Sequence, residues 1–139
     1  MSFQRGVSRD SVYKNSLICI GDGDNIGDVI DFYLLSDNLE EASQFSSKVK
    51  VTLENIAELA EREIHASLVY VAGDDICFTV SADLNIIEIL TSYSYLFLKE
   101  TGKTMSFGIG STSVEALISL RKAKVSGKGC VISFGGGQN

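Results

Sequence analysis

Proline is absent from this chain of 139 residues, histidine occurs once and cysteine three times. Each scarcity removes a class of explanation. With no proline, no internal repeat and no low-complexity spacer, nothing marks a linker, so a length typical of one domain predicts one domain. No apolar run reaches the roughly 18 residues that a membrane-spanning helix needs. The opening MSFQRGVSRDSVYKNS lacks the apolar stretch of a secretory signal, so a cytoplasmic protein without membrane insertion is expected. Cys19, Cys77 and Cys130 sit singly in apolar stretches, without CxxC spacing, and read as reduced core residues. One imidazole, His65, with scattered thiols cannot assemble a zinc site, so any bound metal should be held by oxygen.

Basic residues are also in the minority. Twelve Lys and Arg stand against eighteen Asp and Glu, a net charge of -6, which argues against stable binding to duplex nucleic acid. A small anionic ligand requires the basic residues to be concentrated, and they are: Arg121, Lys122, Lys124 and Lys128 lie together in RKAKVSGKG.

Residues 1–16 are polar and aperiodic and read as a flexible arm. LICIG from Leu17 to Gly21 has no polar face and predicts a strand buried on both sides. DGDNIG follows as an acidic turn, and Ile26, Val29, Ile30, Phe32 and Tyr33 then recur at helical spacing. Ser36, Asp37 or Asn38 caps the main helical body, whose apolar period runs to about His65 as one long helix or a broken pair. SLVYV and ICFTV predict a hairpin around Ala72, Gly73, Asp74 and Asp75. A helix capped by Ser81 or Asp83 and stopped by Gly102 follows, with Tyr93, Tyr95 and Phe97 assigned to the core. TMSFGIG is a strand, Ser113 to Ser126 a helix, and CVISF a last strand before a loose tail at 135–139. The order β, α, α, ββ, α, β, α, β predicts an α+β sandwich, with helices on a mostly antiparallel sheet.

Two acidic turns each end an apolar strand, at Asp22 to Asp24 and at Asp74 and Asp75. Taken singly, each is an ordinary solvated turn. Strand ends at one edge of a sheet can face each other, however, and carboxylates bunched there repel unless a cation lies between them. Mg2+ or Mn2+ prefers such oxygen ligands together with phosphate. Lys124 in the last turn of a helix and Lys128 in the loop after it could then reach a triphosphate. SGKG lacks the spacing of a P-loop and follows a helix instead of opening one.

Taken in order, ICIGDGDNIG, YVAGDDICF and SFGIGSTSVEALISLRKAKVSGKG resemble the three signatures of the minimal CRISPR polymerase (mCpol) family. That family is similar to GGDEF nucleotide cyclases and to the palm of the CRISPR polymerase. The resemblance spans residues 17–134 and implies a palm, ferredoxin-like and GGDEF-like fold. It implies Asp22 and Asp74 as catalytic metal ligands, the Gly23 carbonyl as another, and Asp75 as a further ligand or orienting group, around two Mg2+ or Mn2+ ions. Gly23, Asp24, Asn25, Ile26 and Gly27, with Lys124 and Lys128, would hold nucleotide and phosphate. Two departures are Ala72 at the first glycine of the GGDD pattern and Lys128 in place of Arg. The implied activity condenses NTPs, with ATP expected, into a cyclic di- or oligonucleotide on a homodimer with facing active sites. By the same resemblance the product signals in anti-phage defence and is read by a separate membrane effector. The alternative is a catalytically silent palm that binds nucleotide as a sensor or assembly module.

Overall fold

The computed structural model describes residues 15–136. The predicted N-terminal arm therefore lies outside the described residues up to position 14, and its last residue, Ser16, already opens a strand. Of the predicted tail, 137–139 lie outside them as well.

The elements are β1 (Ser16–Gly23), α1 (Ile26–Leu35), α2 (Leu39–Ile64), β2 (Ser67–Ala72), β3 (Asp75–Ser81), α3 (Ile86–Thr101), β4 (Met105–Gly110), α4 (Ser113–Val125) and β5 (Val131–Ser133). Their order is the predicted one. The helical body is a single helix of 26 residues, opened by the Asn38 side chain accepting from the Glu41 amide and closed by His65 in a left-handed conformation. The five-stranded sheet runs β2-β3-β1-β4-β5. β1 is central and antiparallel to β3 and β4, whereas the crossover through α4 makes β4 and β5 parallel.

Alternation along the strands gives the sheet two faces. One carries Cys19, Ile76, Phe78, Val80, Met105, Phe107 and Ile109, packed in one cluster with Leu53 and Ile56 of α2 and Leu90 and Phe97 of α3. Fully burying each large apolar side chain there contributes roughly 1.5 to 3 kcal/mol. The opposite face carries α4, which settles directly on β4 because Gly108 has no side chain. A Cβ at Gly108 would lie 2.2 Å from the Ala116 carbonyl oxygen and 2.2 Å from the Leu120 nitrogen.

Several expectations needed correction. α4 covers the β4 side of this second face, so Ile18 and Ile20 are only half-buried and β1 is sealed on one side. Tyr95 is 71% exposed, while Tyr93 and Phe97, four residues apart on one helical stripe, are in the core. Phe32 is likewise out of the α1 stripe, at 65% exposed. The cap of α3 is Asn85; Ser81 ends β3, and its hydroxyl bonds the Asp83 carboxylate.

Candidate metal centre

The register of β1 against β3 sets Asp22 opposite Asp75. Asp74 occupies the hairpin turn beside them, where its carbonyl accepts the Gly23 amide at 3.0 Å. One carboxylate oxygen from each of Asp22, Asp74 and Asp75 lies within 4.8 Å of the others. Gly73 supplies the left-handed residue of the turn, with φ of 61°. Ala72 is the last residue of β2 and pairs with Asp75 outside the left-handed region, so the turn takes alanine there without strain.

All three carboxylates are half-buried, and their electrostatics reflect it. Burial and the adjoining Asp75 raise the Asp22 carboxyl to about 6 against the pull of Lys124. Asp74 is raised by burial and by the charge of Asp22. Repulsion of this kind is relieved when a cation sits among the groups. The backbone carbonyls of Asp22 and Gly23 face the same space, receiving the Lys124 ammonium at 3.1 and 3.2 Å. A donor set of carboxylates and carbonyls fits a hard divalent ion such as Mg2+ or Mn2+.

Lys124 ties this centre to its other half. From the last turn of α4 its ammonium also reaches Asp22 at 3.3 Å and Asp24 at 2.5 Å. Asp24, grouped from the sequence with the phosphate-binding residues, has its side chain turned to a different task. It is 1% exposed. Its carboxylate accepts from Thr104 at 2.6 Å, Ser106 at 3.0 Å and the Gly129 amide at 2.8 Å, besides Lys124. Burial alone would raise this carboxyl, but the Lys124 and Thr104 hydrogen bonds outweigh it and hold the group below the usual range. The loop after α4 is thereby fastened to the end of β1.

That loop carries Lys128, whose ammonium bonds the Asn25 side chain at 2.6 Å. Both residues are left-handed, at φ of 66° and 60°, conformations that cost free energy and cluster at functional sites. Asn25 caps α1 without a side-chain bond to the helix. Gly27 is exposed and the Ile26 side chain is buried, so what Ile26 offers a phosphate at this helix start is its backbone N–H.

A cavity of about 400 Å³ opens from the start of α1 to the hairpin, lined by Gly27, Ser46, Lys50, Glu54 and Asp74 among others. Its α2 residues were not found from the sequence, although Ser46, Lys50 and Glu54 recur every four residues as one helical stripe would. Thr104, Ser106 and Gly129 left no local signal, since they meet Asp24 across 80 to 105 positions of chain.

The family model of the minimal CRISPR polymerase domain matches residues 18–134, from β1 through β5 and across every residue of this centre. The chain belongs to the mCpol family. Solved structures share the mCpol fold. The GGDEF domain of DgcB from Caulobacter crescentus in complex with c-di-GMP aligns at a TM-score of 0.68 and 12% identity, covering 94% of this chain and 84% of that one. The active GGEEF domain of a diguanylate cyclase from Vibrio cholerae aligns at 0.63 and 14% identity, covering 92% and 88%. A chain of the Csm1-Csm4 cassette in complex with pppApApA aligns at 0.61 and 20% identity; 84% of the mCpol chain matches 20% of that chain. No curated protein matches the sequence. The mCpol domain thus has a nucleotidyl cyclase-type palm with an acidic triad at the end of its central strands. Among its described residues, no helix is long and apolar enough to cross a membrane.

Proposed function

We propose that this mCpol domain is a metal-dependent nucleotidyltransferase that condenses NTPs into a cyclic di- or oligonucleotide with release of pyrophosphate. The observation that carries the reading is the convergence of Asp22, Asp74 and Asp75 within 4.8 Å, beside Lys124. Relatives of the same fold give it support, one in complex with c-di-GMP and another with pppApApA and with cA4.

The three carboxylates and the Gly23 carbonyl would hold the ions. Bound there, two divalent ions supply a clamp on the attacking and leaving oxygens of an in-line displacement. Asn25, Ile26 and Gly27 offer backbone N–H groups to the phosphates, and Lys128 adds charge from the facing loop. Lys124, held by Asp24, stabilises negative charge that develops beside Asp22. A ribose hydroxyl gives up its proton to water as its oxygen bonds the α-phosphorus of an NTP, the bond from that phosphorus to the oxygen it shares with the β-phosphorus breaks, and pyrophosphate departs with that oxygen. We assign ATP as substrate, a homodimer with facing active sites for ring closure, and a cytoplasmic role in anti-phage signalling through a separate membrane effector.

Purified protein given NTPs with Mg2+ or Mn2+ should release pyrophosphate and a cyclic product identified by mass spectrometry. Equal turnover by wild type and Asp74→Ala, with nucleotide binding intact, would refute the catalytic assignment. A second reading, a silent nucleotide-binding palm, draws on the engagement of Lys124 with Asp24 at 2.5 Å. Calorimetry that records nucleotide binding without any turnover would favour it.

A further inference from the structure

Two helices expose apolar stripes flanked by charges of opposite sign. On α1, Asp28, Asp31, Phe32 and Leu35 follow at spacings of three and four and share one face. All four are exposed, Phe32 at 65% and Leu35 at 88%, and Leu39 adds a further apolar side chain at 73% where α2 begins. Asp37, Glu40 and Glu41 lie beside them in the chain, and no lysine or arginine occurs from Asn15 to Ser47. On α4, Ile118, Arg121, Lys122 and Val125 are likewise exposed at helical spacing, Val125 at 85%, and no acidic residue follows Glu115. The acidic patch and the basic patch cannot meet within one copy. α1 packs against α2 over the core face of the sheet, and α4 lies on the opposite face.

Their placement fits a second copy of this chain. Ile30 of α1 and Ser46 of α2 line the cavity beside Asp74 at the hairpin. From there α2 runs to the start of β2, at the other end of the sheet, so its first turns and the end of α1 project the opposite way, past the hairpin. Helical rise carries the turns from Leu39 to Phe45 about 10 Å beyond it. α4 brings its last turn to the same sheet end, where Lys124 meets Asp22. In a dimer whose active sites face each other, the projecting tip must run alongside the facing copy. A two-fold axis allows two arrangements. One sets tip beside tip, acid against acid; the other lays each tip on the α4 of the facing copy, acid against base. Charge complementarity selects the second.

We infer that the α1–α2 tip of one copy docks on α4 of the facing copy, and that the two-fold repeats the contact. Phe32, Leu35 and Leu39 pack on Ile118 and Val125, while Asp28 and Asp31 lie opposite Arg121 and Lys122. The inference rests on the facing dimer proposed above and goes beyond it by assigning the surfaces that hold it.

Sedimentation equilibrium of the full chain, with Mg2+ and α,β-methylene ATP, should show a dimer. Asp31→Lys and Lys122→Glu should each weaken it by about tenfold or more, because the reversed charge meets its like at both contacts. Leu35→Ser should weaken it to a similar degree through lost apolar contact. Both reversals in one chain, which restore the wild-type net charge, should recover the affinity. Mixing the two single variants should recover it too, since every contact in the mixed dimer again pairs opposite charges. An undiminished dimer in both single variants, or a double variant and a mixture no tighter than the single variants, overturns the docking surface and leaves the nucleotidyltransferase reading standing. A monomeric wild type that turns over NTPs overturns the docking surface and the facing dimer together. Recovery by charge exchange in a protein without turnover upholds the surface and overturns the enzyme reading.

Discussion

Asp22 and Asp24 stand two residues apart at the end of one strand, yet the protein treats their charges in opposite ways. Asp22 shares its surroundings with Asp74 and Asp75 and has one ammonium for relief, so burial lifts its carboxyl to about 6. Asp24 is more deeply buried but is surrounded by donors from β4, α4 and the loop after it, and is held below the usual range. The contrast teaches that burial does not decide the state of a carboxylate; the inventory of its partners does. One acid anchors the lysine and the loop. The other is left under repulsion that a cation would relieve, a state typical of functional sites.

The sharpest way to break the comparison is Asp74→Ala. It should lower turnover by about 10³-fold or more, as loss of a group acting directly on the reacting charge does. Thermal melting of the variant should match or exceed that of wild type, because a repelling charge has been removed. A large drop in melting temperature would make Asp74 an anchor like Asp24. Next in size, Asp24→Ala should cost about 3 kcal/mol in urea denaturation, since it strips Lys124, Thr104, Ser106 and Gly129 of a buried acceptor. If it costs no more than Asp22→Ala, the distinction between the two acids fails.

Metal affinity gives the third test. Asp22 must be deprotonated to bind a cation, so Mg2+ binding by calorimetry should weaken by about tenfold per pH unit below pH 6 and level off above it. A flat profile from pH 5 to 7 would remove Asp22 from the ligand set. The smallest effect concerns stability and pH. Asp22 is raised from an ordinary 3.8 to about 6. Between those values the folded state binds more protons than the unfolded one, so this group lowers stability as pH climbs from 3.8 to 6. Asp24, being lowered, acts with the opposite sign: its contribution is present above 3.8 and is lost as pH falls through its own folded value. Asp22→Asn should flatten the decline between pH 4 and 6 and gain on the order of 1 kcal/mol at pH 7, limited by what Lys124 loses. A steeper decline in that variant would reverse the assignment.

Much of this molecule is legible along the chain. Apolar period and turn chemistry mark the nine elements of the described residues in order, because helix and strand periods act over a few residues. The acid turns at Asp22 to Asp24 and Asp74 to Asp75 and the basic loop at Lys124 to Lys128 stand out for the same reason, as local clusters of one charge. The triad itself needed only one further step, that strand ends at one edge of a sheet meet.

The third dimension decided the rest. Asp22 and Asp24 read alike in DGD, and only the packing of α4 and β4 against that strand end gives one of them Thr104, Ser106 and Gly129. Tyr93 and Tyr95 both read as core in YSYLF, and only the packing of α3 buries one and leaves the other 71% exposed. Local pattern specifies which groups the chain carries and where it bends. Their partners come from segments tens of residues away, so charge state, burial and accessible face are set when the chain closes on itself.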